Sequence, residues 1–205
     1  MKKNNKKSPK TRVAILDAAC RAFAKNAYNA ASIRMIAKEG GVPHALIRYY
    51  YPSKADVFEA VCERICRHLF DACVGAMGET QHMNRKEGFS LYVSRLIEFS
   101  QRQQWVFRIF LLNLSVETEE ALPGRSRFVE VVEQIREKLS ESLRLNASHE
   151  EICRFTDSFN ALVMYYLGAP DSAAWLLHLK PESRAYARWV HQTLVDIFLP
   201  NLDGL

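Results

Sequence analysis

The chain has 205 residues, with 28 Lys and Arg against 23 Asp and Glu, for a formal net charge of +5. At 48% hydrophobic and 25% charged, it holds enough apolar material for a core, which excludes a wholly disordered chain. Only 8 Gly and 7 Pro occur, and the longest apolar run, Ala161 to Leu167, is short; collagen-like chains and the ~20-residue span that crosses a bilayer are excluded as well. Apolar residues then recur at helical spacing along the whole chain. Ser8-Pro9 predicts a helix start, and Val13, Leu16, Cys20 and Phe23 form one face of the first helix. Asn26 and Asn29 interrupt it. A second, short helix starts with Ser32 as its cap, buries Ile33, Ile36 and Ala37, and stops at Gly40-Gly41. Pro43 opens a third helix from His44 to about Tyr50, and Pro52-Ser53-Lys54 starts a long fourth one reaching about Met77.

Helix, short helix, glycine turn and short helix in that order make a helix-turn-helix, whose last member presents its amino end to a DNA major groove. Further on, Asn84 and Glu87 read as a capping box for a helix through Leu91, Leu96 and Phe99. Trp105 to Leu114 is apolar nearly all round and reads as buried. Glu117 to Pro123 reads as a loop, and Phe128, Val131, Ile135 and Leu139 mark an amphipathic helix. Ser148 and Glu151 form a second capping box ahead of Ile152, Phe155, Phe159, Leu162 and Tyr166. Gly168-Ala169-Pro170 breaks that helix, and a final one begins near Pro181 with Tyr186, Trp189, Val190, Leu194, Ile197 and Phe198. The expected fold is all-α: a basic tail at 1–10, a helix-turn-helix domain at 11–56 and a helical body at 57–205.

The charge is unevenly spread. Residues 1–60 hold 12 bases and four acids, whereas the other 145 residues hold 16 bases and 19 acids. A basic head on a mildly acidic body fits a polyanion-binding module, although five of the twelve bases precede Thr11 and a solvated lysine tail is the plainer alternative. Met1 to Lys10 carries no apolar segment after it, so no secretory leader is expected. Five cysteines at no paired spacing read as reduced thiols of a cytoplasmic protein, with no membrane partner.

Residues 11–61 resemble the tetracycline-repressor (TetR) family of bacterial transcription regulators. The resemblance is carried by ILDAACRAFAKNAYNAASIRMIAKEGGV, then PHALIRYYYPSK, then ADVFEAV. It implies a carboxy-terminal helical domain that binds a small ligand and dimerises. It also implies DNA contacts. Ser32 would hold a phosphate at a helix start, and Arg34 a base edge or a phosphate. Pro43, His44, Ala45 and Arg48 would face the groove, while Tyr49, Tyr50 and Lys54 would meet phosphates. Two positions depart from the family's habit: Arg48 stands where an aromatic residue is common, and Tyr50 where histidine is frequent. An arginine there can pair with guanine in bidentate fashion or add a phosphate contact.

Elsewhere each feature has two readings. Cys62, Cys66 and Cys73 return to within about 40° on one helix face, but Cys73 lies ~16 Å above Cys62. One metal could not join all three, so small buried hydrophobes compete with a redox role. The six histidines are scattered, and no metal site or cofactor is expected. Arg108 either pairs with an acid or reaches the surface, or else it holds an anionic effector. Phe70, Tyr92, Phe110, Phe159 and Tyr166 either line a ligand pocket or fill the core. Phe155, Phe159, Trp189 and Phe198 are either plain core or, from the resemblance, part of a four-helix bundle between two copies. Dimerisation also follows from specificity, because one recognition helix reads only a few base pairs.

The expectation is a ligand-responsive repressor, a homodimer on a palindromic double-stranded operator. An effector-independent nucleoid-associated protein and a protein-interaction adaptor are the binding alternatives. An enzyme is not expected, for lack of a nucleophile elbow, phosphate loop, metal triad or paired-carboxylate signature.

Overall fold

The computed structural model describes residues 8–115, 118, 120–143 and 146–202. Lys2, Lys3, Lys6 and Lys7 of the basic tail, and Glu117 of the expected loop, lie outside the described residues. Among those described, every regular element is helical: α1 (Pro9–Lys25), α2 (Ile33–Gly40), α3 (His44–Tyr50), α4 (Lys54–Thr80), α5 (Arg85–Arg102), α6 (Trp105–Asn113), α7 (Arg125–Leu143), α8 (His149–Gly168), α9 (Pro170–Leu176) and α10 (Arg184–Leu202). No described helix is long and apolar enough to cross a membrane.

The helix starts follow their local chemistry. Ser32 Oγ accepts from Met35 N at 3.2 Å and caps α2. Ser53 with Asp56, and Ser148 with Glu151, form reciprocal capping boxes at α4 and α8. The Asn84 side chain accepts from Glu87 N at 2.9 Å. Proline stands in the first turn of α1 and of α9, where its missing N–H is no loss.

The two glycines that end α2 do different work. Gly41 sits at φ 60°, the left-handed conformation that closes the helix. Gly40 lets α2 lie against α1, since a Cβ built there would stand 2.8 Å from Ala18 Cβ.

Three expectations are corrected. Val13 is 52% exposed rather than buried; the inward face of α1 is instead Ile15, Ala18, Ala19, Ala22 and Phe23 around Cys20. A short helix, α9, occupies the stretch after Gly168 where only a break is expected, because Pro170 stops one helix and starts the next. The last helix begins at Arg184 rather than near Pro181, with Ser183 Oγ accepting from Tyr186 N in its first turn.

The head is a small cluster. Ile33 and Ile36 of α2 and Ile47 of α3 pack with the inner face of α1 and with Val57 and Phe58 of α4. Phe23 and Phe58 meet edge to face at 4.7 Å. Because α4 starts in this cluster and continues into the body, the expected 56–57 boundary falls in its first turn. In the body α4 packs on α5 and α7, α6 on α8 and α1, and α10 on α5 and α8.

Cys62, Cys66 and Cys73 are buried in that packing, and burial pushes the Cys66 and Cys73 thiols up to about 12. Cys66 Sγ lies 3.5 Å from Arg127 O and Cys62 Sγ 3.7 Å from Pro123 O, so the stripe seats α4 against α7.

Candidate nucleic-acid interface

The recognition segment is set by one residue. Ile47, fully buried, is the side chain that roots α3 in the head. Its neighbours on the opposite side therefore face outward. Pro43, Ala45, Arg48 and Tyr49 are exposed, and His44 is half-buried. Ala45, Arg48 and Tyr49 are spaced i, i+3 and i+4, which puts them on one face of the helix. The small Ala45 in the first turn leaves room for close approach, with Arg48 behind it as a donor fork.

Ser32 and the exposed Arg34 stand at the start of α2, which packs against α3. Residues 30–52 contain one acid, Glu39. Its carboxylate is bonded by Lys25 at 2.8 Å and by Arg21 at 3.1 Å, both on α1, and these partners hold it below the usual carboxylate range. Arg34, Lys38 and Arg48 thus belong to a segment whose one acid is already engaged.

Two residues expected at phosphates are placed otherwise. The Lys54 ammonium donates to Tyr28 O at 2.9 Å and Ala31 O at 3.2 Å, and lies 4.2 Å from the centre of the Tyr28 ring. Burial pushes it below the ordinary lysine value. It ties the α1–α2 loop to α4 instead of reaching outward, and Tyr28 O accepts from Ala31 N at 3.2 Å as well. The Tyr50 hydroxyl accepts from Ser8 N at 2.7 Å, so it pins the start of α1 to α3.

Sequence reasoning missed Tyr51, whose hydroxyl accepts from Arg12 Nε at 3.1 Å and raises the Arg12 pKa. No local spacing signals a contact across 39 positions.

The residues expected at a ligand separate. Arg108 and Tyr166 line a cavity of about 1220 Å³. Phe110 lines a second one of about 410 Å³ between α6, α7 and α8. Phe70, Tyr92 and Phe159 line neither cavity. Tyr92 and Phe159 are packed in the core beside Phe89, and Phe70 packs half-buried against that core.

The expected dimer anchors are also corrected. Phe155, Phe159 and Phe198 are buried within this one chain, where Phe198 meets the other two rings edge to face at 5.5 and 5.2 Å. Trp189 is half-buried against Tyr166. The large apolar side chains left uncovered on α8, α9 and α10 are Tyr165, Trp175, Leu176 and Ile197.

Arg108 stands beside an acid, as one of its readings has it, and lines the cavity: Nε donates to Ala24 O at 3.1 Å, and Nη1 lies 3.9 Å from the Asp171 carboxylate. Beside it the buried Asn113 Oδ1 accepts from Tyr28 N at 3.0 Å, so α6 holds the head to the body at two points.

Residues 15–61 match the family model of bacterial regulatory proteins, tetR family. No curated protein matches in sequence. Among solved structures, the chain is similar to PfmR of Thermus thermophilus, a TetR-family transcriptional regulator, at TM-score 0.66 and 16% identity over 91% of this chain and 97% of that one. It is similar to the fatty acid degradation regulator FadR of Bacillus halodurans at TM-score 0.61 and 21% identity, over 89% and 97%. FadR of Bacillus subtilis, solved in complex with stearoyl-CoA, aligns at TM-score 0.63 and 17% identity, over 89% and 97%. Residues 15–61 thus carry the helix-turn-helix signature of the tetR family of bacterial regulatory proteins, on a chain whose fold is that of the solved regulators.

Proposed function

We propose that this protein is a ligand-responsive repressor that binds a palindromic operator in double-stranded DNA as a homodimer. The observation that carries the reading is the outward face of α3, where Ala45, Arg48 and Tyr49 stand exposed together in a segment whose one acid, Glu39, is already paired. Arg48 reads base edges, and Tyr49, Ser32 and Arg34 fix register on phosphates. At seven residues, α3 is about 10 Å long and covers only a few base pairs. Two copies are therefore needed for specificity, and the uncovered apolar residues of α8, α9 and α10 are where the second copy sits.

An effector acts through differential affinity for two arrangements of the heads, so effector and operator must weaken each other reciprocally if the protein is a repressor released by its ligand. The open cavities, and the stearoyl-CoA complex of FadR from Bacillus subtilis, support an effector over the effector-independent reading. The test is selection of bound sequences from random duplex DNA, followed by titration of the winner. A palindromic winner bound by two copies supports the proposal, and no enrichment over input overturns it.

A further inference from the structure

The larger cavity opens among the body helices α5, α6, α8, α9 and α10, at the seam where the end of α1 meets them. Its walls are of two kinds. Trp105, Tyr166, Leu167, Tyr186 and Val190 supply apolar and aromatic surface, while Arg108, Arg184 and Arg188 bring guanidinium groups to the same space. Three acids line the same space: Glu98, Asp171 and the exposed Glu182. Glu98 is held by Arg95 at 3.0 Å, and Asp171, well exposed, stands 3.9 Å from Arg108. Among the described residues, no ion pair joins Arg184 or Arg188 to a carboxylate. A volume of about 1220 Å³ exceeds what a small inorganic ion fills and suits an organic molecule.

We propose that this seam binds an amphipathic anion, a carboxylate or phosphate head on an extended apolar body. The head sits on Arg108 with Arg188 or Arg184, and the body lies along Trp105, Tyr166 and Tyr186. Occupancy acts on the head domain through Arg108. Its Nε bond to Ala24 O satisfies a carbonyl in the last turn of α1, a group with no intrahelical partner. An anion that draws the guanidinium into the cavity takes that donor away, and α1 carries α2 and hence α3. The binding claim stands by itself, and only its effect on DNA rests on the function proposed above.

Calorimetry on the full chain without DNA tests the site, using decanoate, decyl phosphate and neutral decanol as probes. Binding of either anion at least tenfold tighter than decanol supports it, and the tighter of the two names the head group. Arg108→Gln and Arg188→Gln are each expected to weaken anion binding about tenfold while leaving decanol unchanged. Val129→Ser, on the rim of the smaller cavity, is expected to leave all three probes unchanged. Decanol binding as tightly as the anions overturns the proposal. So does unchanged anion affinity in Arg188→Gln, an exposed position whose change spares the fold, or loss of binding in Val129→Ser. If the anion binds and the wild-type protein then holds its selected operator equally well with and without it, the link through Arg108 is overturned while the site stands. If no DNA is bound at all, the DNA reading fails and the calorimetric result is untouched.

Discussion

The outward face of α3 and the seam at the base of α1 are both cationic, and they differ in what stands near the charge. On α3 the nearest acid in sequence, Glu39, is bonded away by Arg21 and Lys25, so Arg48 meets solvent beside an alanine and a tyrosine. At the seam, Arg108 already donates to Ala24 O and faces Asp171, and aromatic side chains line the space around it. The first surface suits a long polyanion, which needs open charge and a projecting edge. The second suits a single amphipathic anion whose head must compete with groups already there. One chain thus carries two anion-facing surfaces, and α6 and α1 join them.

The largest effect expected is structural. Ile47→Ala removes the buried side chain that roots α3, at a cost of about 2–4 kcal/mol. Chemical denaturation should show that loss, and DNA affinity should disappear with it even though no DNA-facing residue has changed. Arg48→Ala should leave the denaturation midpoint in place and weaken operator binding at least tenfold, which is about 1.4 kcal/mol or more. Unchanged affinity in a fluorescence-anisotropy titration would remove Arg48 from the interface. Smaller again is Gly41→Ala. Nothing lies within 4 Å of the added Cβ, so the cost is that of the left-handed backbone alone, about 1 kcal/mol; a neutral result would mean the turn relaxes. The smallest effect concerns the body. Of the five cysteines, only Cys153 is not fully buried, and burial lifts the Cys20, Cys66 and Cys73 thiols to about 12. A disulfide reagent at pH 8 should label Cys153 alone in the folded protein and the rest only after unfolding; rapid labelling of Cys66 would show the α4–α7 seam to be open.

The head was legible because its signals are local. A serine cap, two glycines, a proline and the Ser53-Lys54 start lie within a few residues of the features they set, and the outward positions follow once Ile47 turns inward. Lys54 and Tyr50 went astray for the opposite reason. Their partners, Tyr28 O and Ser8 N, lie 26 and 42 positions away, and no spacing in the chain announces them. In the body the periodicities yielded helices but not which apolar face meets which. Phe155, Phe159 and Phe198 look equally suited to a core and to a partner until α5, α8 and α10 are seen to close over them. Arg108 was visible as a charge in an apolar helix, yet the seam it lines is made by residues of six separate helices. Short α9 was hidden by Gly168 and Pro170, residues that mark a break whether or not a helix follows.

The most direct test of the DNA-reading claim is an equilibrium titration of the full chain with its selected duplex across a range of salt concentrations. The account predicts two copies per site and a log affinity that falls steeply with log salt, with a slope of several units for a dimer making that many phosphate contacts, and a shallower slope in Arg34→Ala. Affinity that ignores salt, or binding of a single copy without preference for the selected sequence, would contradict it.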